Sequence, residues 1–291
     1  MKAILYAILI ATLAISTVNA ATPISSCGTY GAGDYYLTKD ITTYPINNQQ
    51  SCLKFEDTRV LGEAKSITID CNNYQIENSN SFHLFYPTAI YATNINTLDI
   101  KNCKAKATTA ILVEGYPPAN SLVTIQNSQL NGYYIGFEGY NLAEGSKIIN
   151  SQLIGTQEAP VELYNSKLKI TDSNLDLNKV LIYDSISQSR LDVGYSINVN
   201  FVDAVTNQPI KTTVMKITDA KGKTTTANAN SNGVIKTDHF NIASLFAERG
   251  KNTLYNPFKV EITAPCYKPI TNNNYVLSGP VLWTHKMVKT C

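Results

Sequence analysis

A short motif of strand-forming residues recurs along the middle of the chain at a nearly constant interval. Its first copy, Ile-Lys-Asn-Cys, begins at Ile100, and later copies begin at Ile125, Ile148 and Ile170. The steps between these copies are 25, 23 and 22 residues. A period in the low twenties, built from strand-forming residues, indicates a solenoid in which each repeat buries the apolar face of its neighbour.

Each repeat predicts three short strands in which alternate residues are apolar. Ala110–Val113 is typical of the first strand, Val123–Ile125 of the second, and Leu130 lies in the third. Alternation places the apolar side chains inside and Thr, Lys, Gln and Glu outside. We expect about five coils. The position directly after the second strand is polar in successive repeats and predicts a ladder of inward amides: Asn102, Asn127, Asn150 and Asp172.

The N-terminal segment has the composition of a secretory signal. Lys2 is followed by the apolar run Ala3–Ile15 and by a small residue, Ala20, which predicts a signal peptide over residues 1–20. An uncleaved N-terminal anchor is the alternative. No other stretch is long and apolar enough to predict a membrane span. We therefore expect a secreted or extracellular cell-surface protein without a span after cleavage.

Six cysteines follow the signal segment, and an even number in an exported chain predicts disulfides. Metal binding is the rival interpretation, but no pair has the close C-x-x-C spacing of zinc sites. Cys71 and Cys103 lie near equivalent positions of successive repeats, close enough for a bridge. The preferred pairing is Cys27–Cys52, Cys71–Cys103 and Cys266–Cys291.

The N-terminal two thirds of the chain resemble a known family. CGTYGAGDYYLTKDI, SCLKFED and SITIDCNNYQI, followed by IKNC and IQNS, are similar to the right-handed parallel β-helix repeat family. That family includes the pectate-lyase-like folds, and this variety resembles secreted or surface proteins of archaea and their relatives. The resemblance implies a right-handed parallel β-helix over residues 21–187. It does not fix an activity, because such folds include lyases, hydrolases, adhesins and structural proteins. We expect the segment from Cys27 to Asp57 to form an N-terminal cap.

The period stops after Arg190 in the sequence, and a different pattern follows. From Tyr195 to Cys291 the chain alternates polar and apolar residues between turn signals such as Lys221-Gly222 and Asn232-Gly233. This predicts a small β-sandwich over residues 191–291. The run VDAVTNQPIKTTVMKITDAKGK resembles carboxypeptidase-regulatory-like, immunoglobulin-like accessory domains. That resemblance implies spacing, capping or adhesion and brings no catalytic residues.

The candidate site is a motif on the outward face of the first strand. Glu114-Gly115-Tyr116 returns 24 residues later as Glu138-Gly139-Tyr140, which predicts that Glu114 and Glu138 stack one coil apart. The predicted outward column runs Thr93, Glu114, Glu138, Tyr164 and Tyr183. Two carboxylates about 5 Å apart suit a retaining glycosidase, and the same pair suits calcium. Alternatively, the tyrosines form a surface on which sugar rings stack, or the face is an ordinary exposed sheet.

These observations favour a non-enzymatic protein that binds carbohydrate, mediates adhesion or builds an envelope. Tyr116, Tyr140, Tyr164, Glu114 and Glu138 are the predicted ligand-binding residues, and a polysaccharide or cell-envelope component is the expected partner. The alternative is a polysaccharide-degrading enzyme, a glycoside hydrolase or lyase, that uses Glu114 and Glu138. No cofactor or metal ligand set is expected, with calcium at the glutamates as the alternative. A net charge of +2 gives no electrostatic case for nucleic acid.

Overall fold

The computed structural model describes residues 20–43, 50–56, 65–79, 87–115, 120–184, 189–248 and 251–291. Nearly all of the predicted signal segment, residues 1–19, and Tyr116 lie outside the described residues. The described chain is almost entirely β-structure. One 3₁₀ turn, Leu177–Lys179, is its only regular helix, and no described helix is long and apolar enough to cross a bilayer.

Residues 22–203 form eighteen strands that belong to two sheets. They are β1 (Thr22–Ile24), β2 (Gly28–Tyr30), β3 (Gly33–Leu37), β4 (Ile41–Thr43), β5 (Ser51–Glu56), β6 (Ser66–Asp70), β7 (Gln75–Asn78), β8 (Thr88–Thr93), β9 (Thr97–Lys101), β10 (Lys104–Glu114), β11 (Leu122–Gln126), β12 (Gln129–Tyr140), β13 (Lys147–Ile149), β14 (Gln152–Gly155), β15 (Ala159–Tyr164), β16 (Lys167–Thr171), β17 (Leu181–Tyr183) and β18 (Arg190–Asp203).

The two sheets are parallel, and the chain passes alternately between them. One sheet contains β1, β3, β6, β9, β11, β13, β16 and β18 in that order. The other contains β2, β5, β8, β10, β12, β15 and β17 in that order, with β4, β7 and β14 also paired in it. The repeated isoleucines lie in register and are buried between the sheets, and Val193 continues their row: Ile69, Ile100, Ile125, Ile148, Ile170 and Val193. The parallel pairing thus extends beyond the predicted five repeats in both directions, because β3 and β18 also join it.

The predicted third and first strands of a repeat join into one long strand in two repeats. β10 has 11 residues and β12 has 12, and the register between them shifts after Ala107. β12 bends sharply at Gly132, where an added Cβ atom would lie 1.8 Å from the carbonyl oxygen of Ile135, and Gly132 pairs with Gly155 at the end of β14. A Cβ atom on Gly155 would lie 1.8 Å from the carbonyl oxygen of Ala159, so only glycine fits there.

The predicted column of inward amides is wrong. Asn127 and Asn150 are exposed, and all four residues of the column have positive φ, between 49° and 56°. Asparagine tolerates this left-handed conformation better than most residues, so the column forms the corners after the second strands. The amides do form a partial ladder on the outside, since Asn150 Nδ2 donates to Asn127 Oδ1 at 2.8 Å.

The buried ladder lies one residue further along the chain. Ser128, Ser151 and Ser173 are buried, and each hydroxyl donates to the carbonyl two residues before it. Each also accepts from the backbone N–H of the equivalent residue one repeat earlier, at 3.0–3.1 Å. Cys103 starts this row and uses its sulfur for a disulfide instead. The small polar residue therefore satisfies backbone groups that the corner leaves unpaired inside the core.

The C-terminal region begins without a break in the first sheet. Its remaining strands are β19 (Val214–Thr218), β20 (Thr224–Asn228), β21 (Val234–Phe246), β22 (Thr253–Leu254), β23 (Phe258–Thr263), β24 (Ile270–Tyr275) and β25 (Val281–Met287). β18 pairs in parallel with β16 through Arg190–Gly194, and also pairs with β21 and β25. A separate antiparallel sheet has the order β20-β19-β23-β24. Side chains of the two sheets, including Phe201 and Phe258, form the local core.

All three predicted disulfides are confirmed: Cys27–Cys52, Cys71–Cys103 and Cys266–Cys291. The first two connect neighbouring repeats near the N-terminus, and the third ties the C-terminal residue back to the loop before β24. The predicted cap, residues 27–57, is not separate from the stack where it is described. Its strands pair in parallel with those of the next repeat, and Tyr30, Tyr35 and Phe55 form an aromatic cluster near this end.

Candidate functional site

The candidate residues lie on the outer face of β10, β12 and β15, next to one another in the second parallel sheet. Phe137 of β12 points into the core and is fully buried, so Glu138 and Tyr140 point outward on the alternate positions of a strand. Glu162 and Tyr164 take the same places on β15. The parallel pairing therefore brings two Glu-x-Tyr segments side by side.

The predicted stacking of Glu114 on Glu138 is wrong. Glu114 pairs with Tyr140, and Glu138 pairs with Leu112 on one side and Glu162 on the other. The pairing offset between β10 and β12 is 25 residues up to Ala107 and 26 residues from Thr109 onward, and neither value equals the spacing of the motif. The Glu-Gly-Tyr motif repeats after 24 residues, two fewer than the pairing offset of 26 at Glu114. Because side chains alternate with a period of two, Glu114 and Glu138 still lie on the same face of the sheet, but they are not paired.

Three tyrosines form a continuous stack along this face. The rings of Tyr140 and Tyr164 are 4.2 Å apart between centroids and 2° from parallel. Tyr183 of β17 continues the stack at 4.7 Å and 11°. It is 44% exposed, whereas its two partners are half-buried. We call these three residues the tyrosine ladder.

Each of the first two tyrosines is bonded to a glutamate on its own strand. Tyr140 donates its hydroxyl to Glu138 Oε1 at 2.7 Å, and Tyr164 donates to Glu162 Oε1. A third pair joins β8 and β10, where the hydroxyl of Tyr91 donates to Glu114 Oε2 at 2.5 Å. The phenols thus partly compensate the desolvation of the carboxylates.

Burial and like charge raise the proton affinity of the stacked carboxyls. The pKa of Glu138 is raised to about 7, mainly by burial. The hydrogen bond from Tyr140 lowers this pKa, whereas the nearby carboxylates of Glu162, Glu114 and Glu158 raise it. Burial also raises the pKa of Glu162, opposed by its bond from Tyr164 and assisted by Glu158. The pKa values of Tyr140 and Tyr164 rise for the same reasons, burial first and then the carboxylate that each phenol contacts. At neutral pH the site therefore holds protonated phenols beside two carboxyls whose pKa values are raised.

This geometry limits the chemistry of the glutamates. A retaining glycosidase needs two carboxyls that both reach the sugar, but Glu162 is only 5% exposed and is bonded to Tyr164. Glu114 and Glu138, the catalytic pair of the alternative hypothesis, are in different rows. Within the described part of the chain, no cluster of three or more His, Cys, Asp or Glu side chains is arranged to hold a metal ion.

Sequence reasoning missed Glu162 and Tyr91 as members of the site. A signal for Glu162 was present, because Glu-x-Tyr occurs at residues 114, 138 and 162 in two equal steps. The second step corresponds to true pairing, and the first does not. Lys147 pairs with Lys169 in the other parallel sheet. These lysines lie in the first sheet and do not contribute to the tyrosine ladder.

Comparison with known proteins identifies no relative, since no family model, no curated protein and no solved structure matches the chain.

Proposed function

We propose that the protein is a non-enzymatic protein of the cell exterior that binds carbohydrate through the tyrosine ladder and the glutamates beside it. The observation that carries the proposal is a strip of stacked aromatic rings, with an exposed terminal ring, on the outside of a parallel sheet. Exposed aromatic rings bind the apolar faces of pyranoses, and nearby polar groups then orient the sugar hydroxyls.

The proposed scaffold is a right-handed parallel β-helix followed by an immunoglobulin-like sandwich. Alternation of the chain between two parallel sheets, at a period in the low twenties, supports the first element. A four-stranded antiparallel sheet packed on the end of the first sheet supports the second. Similarity to the pectate-lyase-like and carboxypeptidase-regulatory-like families belongs to this proposal. The predicted signal segment, together with three disulfides, favours an exported protein.

A sugar ring can bind only to a tyrosine ring face that the stack leaves uncovered. Tyr164 is covered on both ring faces by its neighbours, and one face of Tyr140 is covered by Tyr164. Tyr183 ends the ladder and is its most exposed ring, so its outer face is the place for a sugar. Tyr140 and Tyr164 hold that ring in position. The ladder thus acts as a preorganised support, which lowers the entropy cost of binding.

The charge of the face selects the class of polysaccharide. Glu162 and Glu158 both raise the pKa of Glu138, Glu158 also raises that of Glu162, and Glu158 itself is exposed. An acidic glycan would meet this negative potential and be repelled. We therefore expect neutral or amino-sugar polymers to bind better than polyuronates.

Glycan binding by the intact protein tests the proposal. Tyr183→Ala should weaken binding several-fold, whereas Tyr133→Ala should not, although Tyr133 is more exposed at 52%. Binding would be measured on a glycan array and by affinity electrophoresis in neutral, amino-sugar and acidic polymers. Absence of binding throughout, or binding that Tyr183→Ala leaves unchanged, contradicts the proposal. New reducing ends or unsaturated products that disappear in Glu138→Gln would instead establish an enzyme.

A further inference from the structure

The tyrosine ladder combines two features that together suit one-electron chemistry. Its rings are in van der Waals contact, with centroid distances of 4.2 and 4.7 Å and nearly parallel planes. Two of its phenols also donate to carboxylates, Glu138 and Glu162. Sugar binding at Tyr183 requires neither of these hydrogen bonds.

Oxidation of a phenol is a coupled loss of one electron and one proton. When Tyr164 gives an electron to an oxidant, its acidic proton can move along the existing hydrogen bond to Glu162. The products are a neutral phenoxyl radical and a protonated carboxyl, so no charge is created within the half-buried site. A buried carboxyl is a good acceptor, because burial favours its neutral form.

The radical can then move along the stack. Tyr183 gives an electron to the Tyr164 radical, Tyr164 recovers its proton from Glu162, and Tyr183 releases its own proton to water. Its high exposure makes that release direct. Each step moves one electron and leaves Tyr164 and Glu162 as they began, so the interior members of the stack act as a relay.

We propose that the tyrosine ladder is a radical relay that delivers oxidation from Tyr140 and Tyr164 to the exposed Tyr183, where two copies of the chain couple into a dityrosine cross-link. The oxidant is of the peroxide class, acting through a one-electron oxidising agent. Each cross-link forms one carbon–carbon bond between ortho carbons, and two tyrosines together lose two electrons and two protons. Hydrogen peroxide accepts these to give two waters. The relay does not depend on carbohydrate binding.

If solvent exposure alone decided which tyrosine couples, the main coupling site would differ from the one that the relay predicts. Tyr133 is 52% exposed and contacts Tyr134 edge-on, with no glutamate bonded to its hydroxyl in the described chain. If accessibility controlled coupling, Tyr133 would exceed Tyr183. If the ladder collects oxidation, Tyr183 dominates although it is less exposed.

The experiment uses the intact, disulfide-bonded protein with a ruthenium tris-bipyridine photo-oxidant and persulfate. Persulfate accepts the two electrons and is reduced to two sulfate ions. Cross-linked peptides are mapped by mass spectrometry after brief illumination. We expect Tyr183 to be the main coupling site. Tyr164→Phe preserves the ring but removes the phenol, and Glu162→Gln preserves the hydrogen-bond acceptor but not the base. Each should reduce Tyr183 coupling several-fold and leave Tyr133 unchanged.

Equal unfolding midpoints and circular dichroism spectra would show that these variants remain folded. Two results would overturn the relay. One is coupling mainly at Tyr133 in the unaltered protein, and the other is Tyr183 coupling that is the same in Tyr164→Phe. If Tyr183→Ala loses glycan binding while Tyr164→Phe and Glu162→Gln couple at Tyr183 as well as the parent does, the carbohydrate proposal stands and only the relay is rejected.

Discussion

Glu138 lies directly opposite Glu162 on adjacent parallel strands, and each carboxyl accepts the hydroxyl of the tyrosine two residues further along its own strand. Two like charges at the spacing of neighbouring strands repel each other strongly when they are partly withdrawn from water. The phenols offset part of this cost, and the remainder is relieved when a proton binds. This pair therefore connects the stability of the scaffold to pH.

We predict that the protein is less stable above neutral pH, and that Glu138 is a main cause. Its pKa is about 7 in the folded chain, against an ordinary value of 4.5. Between these values the folded state binds more protons than the unfolded state, so stability falls as pH rises through this window. The loss is up to about 3 kcal/mol, and Glu162 contributes in the same direction. Urea unfolding at about pH 5 and about pH 8 measures it.

Glu138→Gln isolates the contribution of this carboxyl. The amide oxygen can still accept from Tyr140, but no charge develops, so the variant should be more stable than the parent above neutral pH and should show a flatter profile. Glu144→Gln removes an exposed, ion-paired carboxylate and is the matched control. Parallel stability curves for Glu138→Gln and the parent would contradict the assignment.

The left-handed corners predict a residue-specific cost. Asn94 is exposed and has φ of 58° at the corner after β8. Asn94→Ala should destabilise the protein by about 1 kcal/mol, because a Cβ atom disfavours this conformation and alanine has no side-chain amide to compensate. Asn94→Gly should be close to neutral. Equal denaturation midpoints for the two variants would show that backbone strain is not the cause.

The sequence predicted the core better than the site, and the reason is physical. The isoleucine row that includes Ile100 and Ile125 was predictable, because every repeat must bury the same interior position. Outward positions such as Glu114 are not constrained by the core. The shift after Ala107 therefore changes which of them are neighbours without disturbing the interior. The inward amides were misplaced by one residue, because asparagine at Asn127 meets a backbone requirement and the buried polar role belongs to Ser128.

Gly155 should be among the least replaceable residues of the fold. An added Cβ would meet the carbonyl oxygen of Ala159 at 1.8 Å and that of Tyr134 at 2.6 Å, and backbone atoms cannot move aside as a flexible side chain can. We expect Gly155→Ala to cost about 1–3 kcal/mol or more in unfolding free energy. Gly279→Ala is the matched control, because nothing lies within 4 Å of its Cβ position. A thermal melt that is unchanged in Gly155→Ala would contradict the tight bend.

The serine ladder predicts a local effect as well as a global one. Ser151 is buried, and its Oγ accepts from the N–H of the buried Ser128 at 3.1 Å and donates to the carbonyl of Ile149 at 2.8 Å. Ser151→Ala leaves the buried N–H of Ser128 without its acceptor, which costs about 1–3 kcal/mol. Amide hydrogen exchange should become faster at Ser128 in particular. Ser231→Ala, in an exposed turn, should change neither quantity. If Ser128 exchange stays as slow as in the parent, another acceptor satisfies that amide and the ladder is not what closes the corner.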